Sequence, residues 1–426
     1  MNIDPTDDQI KEFAKEDFLG RNKFLQSLLT ILLSVEDGTI IDLNGPWGSG
    51  KTVLVKQLEF LCSDKNFSPT TIDNGLSENF RNEYTVFYYN AWENDQYNPA
   101  ESIIFQLIAQ YWGRNEDLAT KALAIAKSFS SKLLSKGTFG LVDINDASEN
   151  NLKHKMLEEI KSLAKKKEAS TDIVYSALQD AGKKHLLFIV DELDRCNPGF
   201  AVKLIETIKH YFANESVKLL FVTNNIQLSS IIEKNYGDKF SGYEYLDKIF
   251  DLVIDMPPLD KRHFIDSFSN IEENHYRETI SEIADYYNMS IREIERYIVL
   301  FKLSKKYIES ANLSMLNEVN PLKFFTVHLL LPLILGAKIK SLTDFEALTS
   351  WGETGKGLVS KVCRESRYAR TIIGRCNSHT SQISAESLYS QLMVGTRERD
   401  SADAETVRRV TQEMVSLIGI VSGDIN

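Results

Sequence analysis

Prolines and glycines are scarce: 9 and 21 in 426 residues. A turn-dense sandwich or barrel needs more breakers than that, so long helices are expected to dominate. Cysteine is scarcer still. The four thiols, at 62, 196, 363 and 376, form no C-x-x-C pair and have no histidine cluster around them, which signals neither a zinc site nor a disulfide framework and suits a reducing compartment. A basic excess is also missing. Lys plus Arg number 49 against 60 Asp plus Glu, a net charge of −11, so the chain lacks the footprint of a protein that coats nucleic acid. The first residues, Met-Asn-Ile-Asp-Pro-Thr-Asp-Asp, are acidic and precede no apolar stretch, unlike a secretory signal. The longest uncharged apolar run, between Lys323 and Lys338, contains His328 and Pro332 and falls short of the ~20 residues that span a bilayer, which predicts a core helix kinked or started at Pro332.

What is present is the balance of a globular protein, 43% hydrophobic and 26% charged, at a length that calls for two or three packed units. Five short apolar runs bounded by turn residues read as strands: Thr39 to Asn44, Thr85 to Asn90, Leu186 to Val190, Lys218 to Thr223 and Phe250 to Asp255. They alternate with helical periodicity, starting with an amphipathic helix over Asn22 to Val35. That alternation predicts an α/β fold, a parallel sheet of about five strands flanked by helices. About 95 residues separate the second and third strands, far beyond a simple crossover. Helices over Ser102 to Trp112, Leu118 to Leu134, Leu152 to Lys167 and Asp172 to Ala181 are expected there, punctuated by lysines that oppose a bilayer. From Tyr276 on, only helix is expected.

The division that follows is residues 1–112 and 184–260 as two halves of one core, 113–183 as a soluble helical insertion, 261–318 as a helical lid and 319–426 as a helical C-terminal module.

Directly after the first strand, Gly45-Pro46-Trp47-Gly48-Ser49-Gly50-Lys51-Thr52 fits G-x-x-x-x-G-K-[ST] and opens a helix at Val53. Glycines let such a loop curl its N–H groups around phosphate at the positive end of a helix. Lys51 is then the charge for the terminal phosphates, Thr52 a Mg²⁺ ligand, and Trp47 either a contact or packing. The third strand closes on Asp191-Glu192, placing two acids at the edge where parallel sheets bind ligands. Asp191 is the candidate metal residue and Glu192 the candidate base that polarises an attacking water. Asn224 and Asn225 follow the fourth strand and either orient water near the γ-phosphate or close a turn. Ser290-Ile291-Arg292-Glu293 reads as a capping box for a helix carrying Arg292 and Arg296, which are either phosphate sensors or a solvated face. Arg195 is a further candidate, near the nucleotide or a neighbour, or paired with Asp194 or Glu192.

The phosphate loop, the stretch Asp191-Glu192-Leu193-Asp194-Arg195-Cys196-Asn197-Pro198, Tyr89-Asn90-Ala91-Trp92 and Tyr245-Leu246-Asp247-Lys248-Ile249 together resemble the KAP family of P-loop NTPases over roughly residues 17 to 310. Leu19-Gly20-Arg21 resembles the segment that frames adenine in STAND and AAA-like ATPases, making Gly20 and Arg21 candidate base-binding residues. The resemblance implies the additional-strand, catalytic-glutamate class, with a sensor strand between the two strands that carry the phosphate loop and the acids. It implies ATP and Mg²⁺ as ligands, and ATP hydrolysis. It further implies a switch or assembly role in a cytoplasmic complex, plausible in anti-phage or anti-plasmid defence, with a protein effector as partner and a homo-oligomer or hetero-complex as the form. Two departures stand out. Many members carry transmembrane helices in the insertion, whereas here lysines interrupt it; and Asn224 and Asn225 stand where the family tends to place an aspartate. A nucleotide-gated scaffold with little turnover and an ATP-driven DNA-handling motor are the alternatives. For the latter, residues 351–426 offer 2 Lys and 8 Arg against 9 acids, a weak nucleic-acid signal.

Overall fold

The computed structural model describes residues 6–69, 71–112, 168, 170–237, 239–268, 274–310, 320–376, 383–393 and 402–423. They form two compact units. One holds residues 6–17 and 21–258; the other holds 18–20 and the chain from 259 on.

The first unit is built on a five-stranded sheet, entirely parallel, in the order β2-β3-β4-β1-β5. The strands are β1 (Ile40–Asn44), β2 (Tyr84–Asn90), β3 (His185–Asp191), β4 (Val217–Thr223) and β5 (Leu252–Asp255). Each lies within two residues of its expected place. β4 sits between β1 and β3, as the resemblance implies for a sensor strand. Position in the sheet explains composition. The central strands β3 and β4 are buried almost throughout, whereas the edge strand β5 alternates between half-buried and exposed residues.

Because side chains alternate along a strand, each strand feeds two cores. Phe188, Val190, Leu219 and Phe221 face one side, which is covered by α5 (Pro99–Trp112), α6 (170–181) and α7 (Pro198–Tyr211). Leu187, Ile189, Leu220 and Val222 face the other, covered by α2 (Asn22–Ser34), α3 (Lys51–Ser63) and α4 (Asn74–Glu83), with α1 (Asp7–Lys15) beside α3. Two charged residues break the apolar pattern inside strands, and each has partners. Lys218 Nζ, at the start of β4, donates to the Leu32 carbonyl and to Tyr84 Oη (2.6 Å); Asp42, in β1, belongs to the site below. After β4 come α8 (Asn225–Tyr236) and α9 (Gly242–Asp247). The expected helices Leu118 to Leu134 and Leu152 to Lys167 lie outside the described residues.

The second unit is helical throughout its described residues: α10 (Lys261–Phe268), α11 (Asn274–Tyr286), α12 (Ile291–Ser310), α13 (Pro321–Phe325), α14 (Leu331–Lys340), α15 (Leu342–Thr349), α16 (Glu353–Glu365), α17 (Arg367–Cys376), α18 (Ala385–Leu392) and α19 (Ala402–Gly423). The capping box is formed, with Ser290 N donating to Glu293 Oε2 (2.8 Å). Glu282 of α11 accepts the Tyr368 N–H (3.0 Å), and Tyr297 of α12 donates to the Pro332 carbonyl (2.9 Å), so the helices before and after residue 320 share one core.

One expectation needs correction. α13 and α14 are joined by a π-helical turn over Thr326–Leu330, so the helix runs unbroken from Pro321 to Lys340 and does not start at Pro332. Proline at 332 supplies no N–H to the ladder, and the widened turn before it absorbs the mismatch. At 20 residues and mean hydropathy 1.6, it is the one helix among the described residues long and apolar enough to cross a membrane. Yet 67% of it is buried, and every residue from Leu331 to Ala337 is in the core.

Candidate functional site

At the C-terminal edge of the sheet, β1 runs into the glycine-rich loop and α3 begins at Lys51. Gly48 and Gly50 have φ of 76° and 89°, a conformation that side chains with a Cβ avoid, and Gly50 is the residue that enters α3. A Cβ on Gly45 would come within 3.0 Å of both Met256 Cβ and Ser49 Oγ. The loop therefore leaves little room for a side chain at Gly45. Ser49 Oγ is buried with no hydrogen-bond partner among the described residues. Lys51 is buried; its Nζ donates to the carbonyls of Gly45 and Pro46, and burial lowers its pKa against the opposing charges of Asp194 and Asp191. A buried ammonium resting on loop carbonyls and an orphaned hydroxyl at a helix N-terminus fit a phosphate-bearing ligand.

Asp191 closes β3 and is fully enclosed. Tyr88 Oη donates a hydrogen bond to it (3.0 Å), the Glu192 N–H donates to its Oδ1 (2.8 Å), and the Thr52 hydroxyl lies near enough to favour its charged form. Burial raises its pKa, with those donors and the Lys51 charge opposing. The two proposed metal ligands, Thr52 in the first turn of α3 and Asp191 at the end of β3, are thus neighbours at the sheet edge. A hydroxyl and a carboxylate beside a buried lysine are donors of the kind that would fit Mg²⁺ and phosphate.

A family model described as the KAP family P-loop domain matches residues 21–312, more than half of the chain. The chain belongs to the KAP family. No curated protein matches it.

In this KAP protein the third strand's acids diverge. Glu192 turns out of the strand at a φ of 63° and pairs with Arg195, whose Nη1 stands 2.7 Å from Oε2, so of the alternatives for Arg195 the glutamate pairing is the one formed. Asp194 is buried, and its Oδ2 accepts from Trp47 Nε1 (2.6 Å) and from the Asn224 N–H (3.1 Å). Trp47 is therefore more than loop packing. Through Asp194 it ties the phosphate loop to the end of β4.

Asn224 and Asn225 reach the sheet edge in different ways. Asn224 is the N-cap residue of α8, without a side-chain capping bond. Asn225 turns inward: its Nδ2 donates to Asp42 Oδ2 (2.8 Å), and its N–H donates to Asn44 Oδ1 (3.0 Å). Thr223 Oγ1 donates to Asp42 Oδ1 (2.8 Å). Burial pushes the Asp42 carboxyl up to about 7, against these hydrogen bonds and the Lys51 charge. In this arrangement Asn225 braces β1 against β4.

Arg21 is buried, with Nε and Nη2 lacking hydrogen-bond partners among the described residues; burial lowers its pKa and Asp17 opposes the shift. Gly20, before it, has a φ of 61°. Arg292 and Arg296 lie on α12 in the helical unit. Reading the sequence missed Asp42 and Tyr88, and it named Asp194 without its bonds to Trp47 and Asn224. Asp42 left a trace, a lone acid inside an apolar strand run. Tyr88 left none, because tyrosine is ordinary in a strand.

Proposed function

We propose that the protein binds Mg-ATP at the glycine-rich loop and hydrolyses it, acting as a nucleotide-driven switch. The observation that carries this is a glycine-rich loop with Gly48 and Gly50 at positive φ and a buried Lys51, facing the enclosed Asp191 at the ligand edge of a parallel sheet. Loop N–H groups and Lys51 hold the phosphates, and Pro46, Trp47, Ser49 and Val53 complete the loop and the first turn of the helix. Mg²⁺, when bound at Thr52 and Asp191, neutralises charge on the phosphate oxygens. Glu192 accepts a proton from the attacking water. As the water oxygen bonds to the terminal phosphorus, the bond to the bridging oxygen breaks and its electron pair leaves with the diphosphate. Gly20 and Arg21 are proposed to frame the base. A role in anti-phage or anti-plasmid defence, a cytoplasmic location and a protein partner extend the reading on family resemblance.

The test is phosphate release and thermal melting with Mg-ATP. Lys51→Ala should abolish both turnover and the ATP-induced rise in melting temperature, because it removes charge-assisted contacts to the phosphates. An unchanged shift in the variant would sink the site assignment.

A further inference from the structure

Glu192 does not stand at the sheet edge as a free carboxylate. A left-handed backbone costs a residue with a Cβ roughly 1–2 kcal/mol, and here it leads into the single 3₁₀ turn Leu193–Arg195. Arg195 Nη1 meets Glu192 Oε2 at 2.7 Å, with the glutamate side chain 13% exposed and the arginine 28%. The same guanidinium lies over the indole of Trp92, 5.6 Å from the ring centroid. Trp92 belongs to the turn after β2 and is half exposed. Arg195 is thus seated on a carboxylate from one strand end and a ring from another.

A guanidinium 2.7 Å from one carboxylate oxygen ties the side chain down by charge; to take a proton from water Glu192 must give up that contact. We propose that Arg195 is a latch on Glu192, withholding the base until the ion pair opens, with Trp92 as the surface that keeps the latch shut. The proposal rests on the reading of Glu192 as base and adds regulation to that site.

The neighbouring Asp194 shows what a fixed acid looks like here: it is buried and held by donors from the phosphate loop and the end of β4. The Glu192–Arg195 pair is different. It is local, three residues apart, within a turn held by the Arg195 N–H to Glu192 carbonyl bond (3.2 Å) and the Cys196 N–H to Leu193 carbonyl bond (3.3 Å). Its aromatic seat is open to solvent, so any group stacking on Trp92 competes with the guanidinium.

The experiment measures kcat and KM for phosphate release with Mg-ATP, and affinity for a fluorescent ATP analogue. It compares the parent with Arg195→Ala, Arg195→Lys and Trp92→Ala, and uses Lys51→Ala as the blank. Arg195→Ala should raise kcat about three- to tenfold, the weight of a partly screened ion pair, with KM and affinity within about twofold of the parent. Arg195→Lys, which keeps a cation in reach, should return kcat most of the way to the parent value. Trp92→Ala should give a smaller rise. An Arg195→Ala chain that binds the analogue but turns over at or below the parent rate overturns the latch and leaves hydrolysis standing. If neither the parent nor any variant exceeds the blank while still binding the analogue, hydrolysis itself fails and the latch with it. Should Arg195→Ala not fold, Trp92→Ala decides: a raised kcat upholds the latch, and a parental or lower one overturns it.

Discussion

At the scale of single residues, the adjacent acids Asp191 and Glu192 part company because the chain turns between them. Asp191 remains in the strand, enclosed and bonded to Tyr88, while Glu192 leaves it in a left-handed conformation. Glu192→Gln keeps shape while removing basicity, and should hold ATP affinity within a few-fold while cutting turnover by about 10²-fold or more. Asp191→Asn should instead disturb the Mg²⁺ dependence of both, as read from titrations of the fluorescent analogue and of phosphate release. Parental turnover by the glutamine variant would move the base elsewhere. Asp42 makes a separate demand. Its carboxyl titrates near 7 in the folded chain and near 3.8 unfolded, so between those values the folded state holds more protons and stability falls as pH rises. Asp42→Asn removes that loss. The variant should gain melting temperature relative to the parent on going from pH 5 to pH 8, by the equivalent of a few kcal/mol at most; parallel profiles would show that Asp42 does not titrate there. The phosphate-loop residues and the strand-end acids were legible because their chemistry is tied to contiguous spacing. The bonds of Asp194 and Tyr88 and the inward turn of Asn225 were not, since their partners come from other strands.

At the scale of elements, the strands were readable because burial on both faces leaves short runs of Val, Ile, Leu and Phe closed by turn residues, whereas the long apolar run after Lys323 is a helix. Helix ends were harder. The run between Lys323 and Lys338 read as a core helix kinked or started at Pro332, because proline usually bends or starts a helix; nothing in the residue order announces that a π-turn carries the helix through it. Close helix packing is also invisible in sequence until a glycine is placed. A Cβ on Gly242, in α9, would come within 2.2 Å of the Ser229 carbonyl oxygen of α8. Backbone cannot yield as a flexible side chain does, so Gly242→Ala should destabilise this pair by about 1–3 kcal/mol, read as a drop of a few degrees in the melting transition of the sheet unit. An unchanged melt would mean that α9 can shift away without cost.

For the whole molecule, the apolar helix Pro321–Lys340 sets the question of lipid contact. Its core residues are enclosed by protein, so the chain should be recovered in the aqueous fraction without detergent; recovery mainly in salt-washed membranes would show that this helix leaves its core for lipid. The order of the strands carries a further consequence, for biosynthesis. β1 is an inner strand of the sheet, and its neighbours are β4, with Ile40 beside Leu219, and β5, with Ile41 beside Leu252. Both arrive more than 170 residues after it. As a ribosome delivers the chain, the strand that launches the phosphate loop waits unpaired, with its hydrogen-bonding edges open, through the synthesis of everything up to β4. Such long-range parallel pairing is slow to form. A nascent chain stalled before Val217 holds every residue of the loop and both strand-end acids, and still has no neighbour for β1 to dock against.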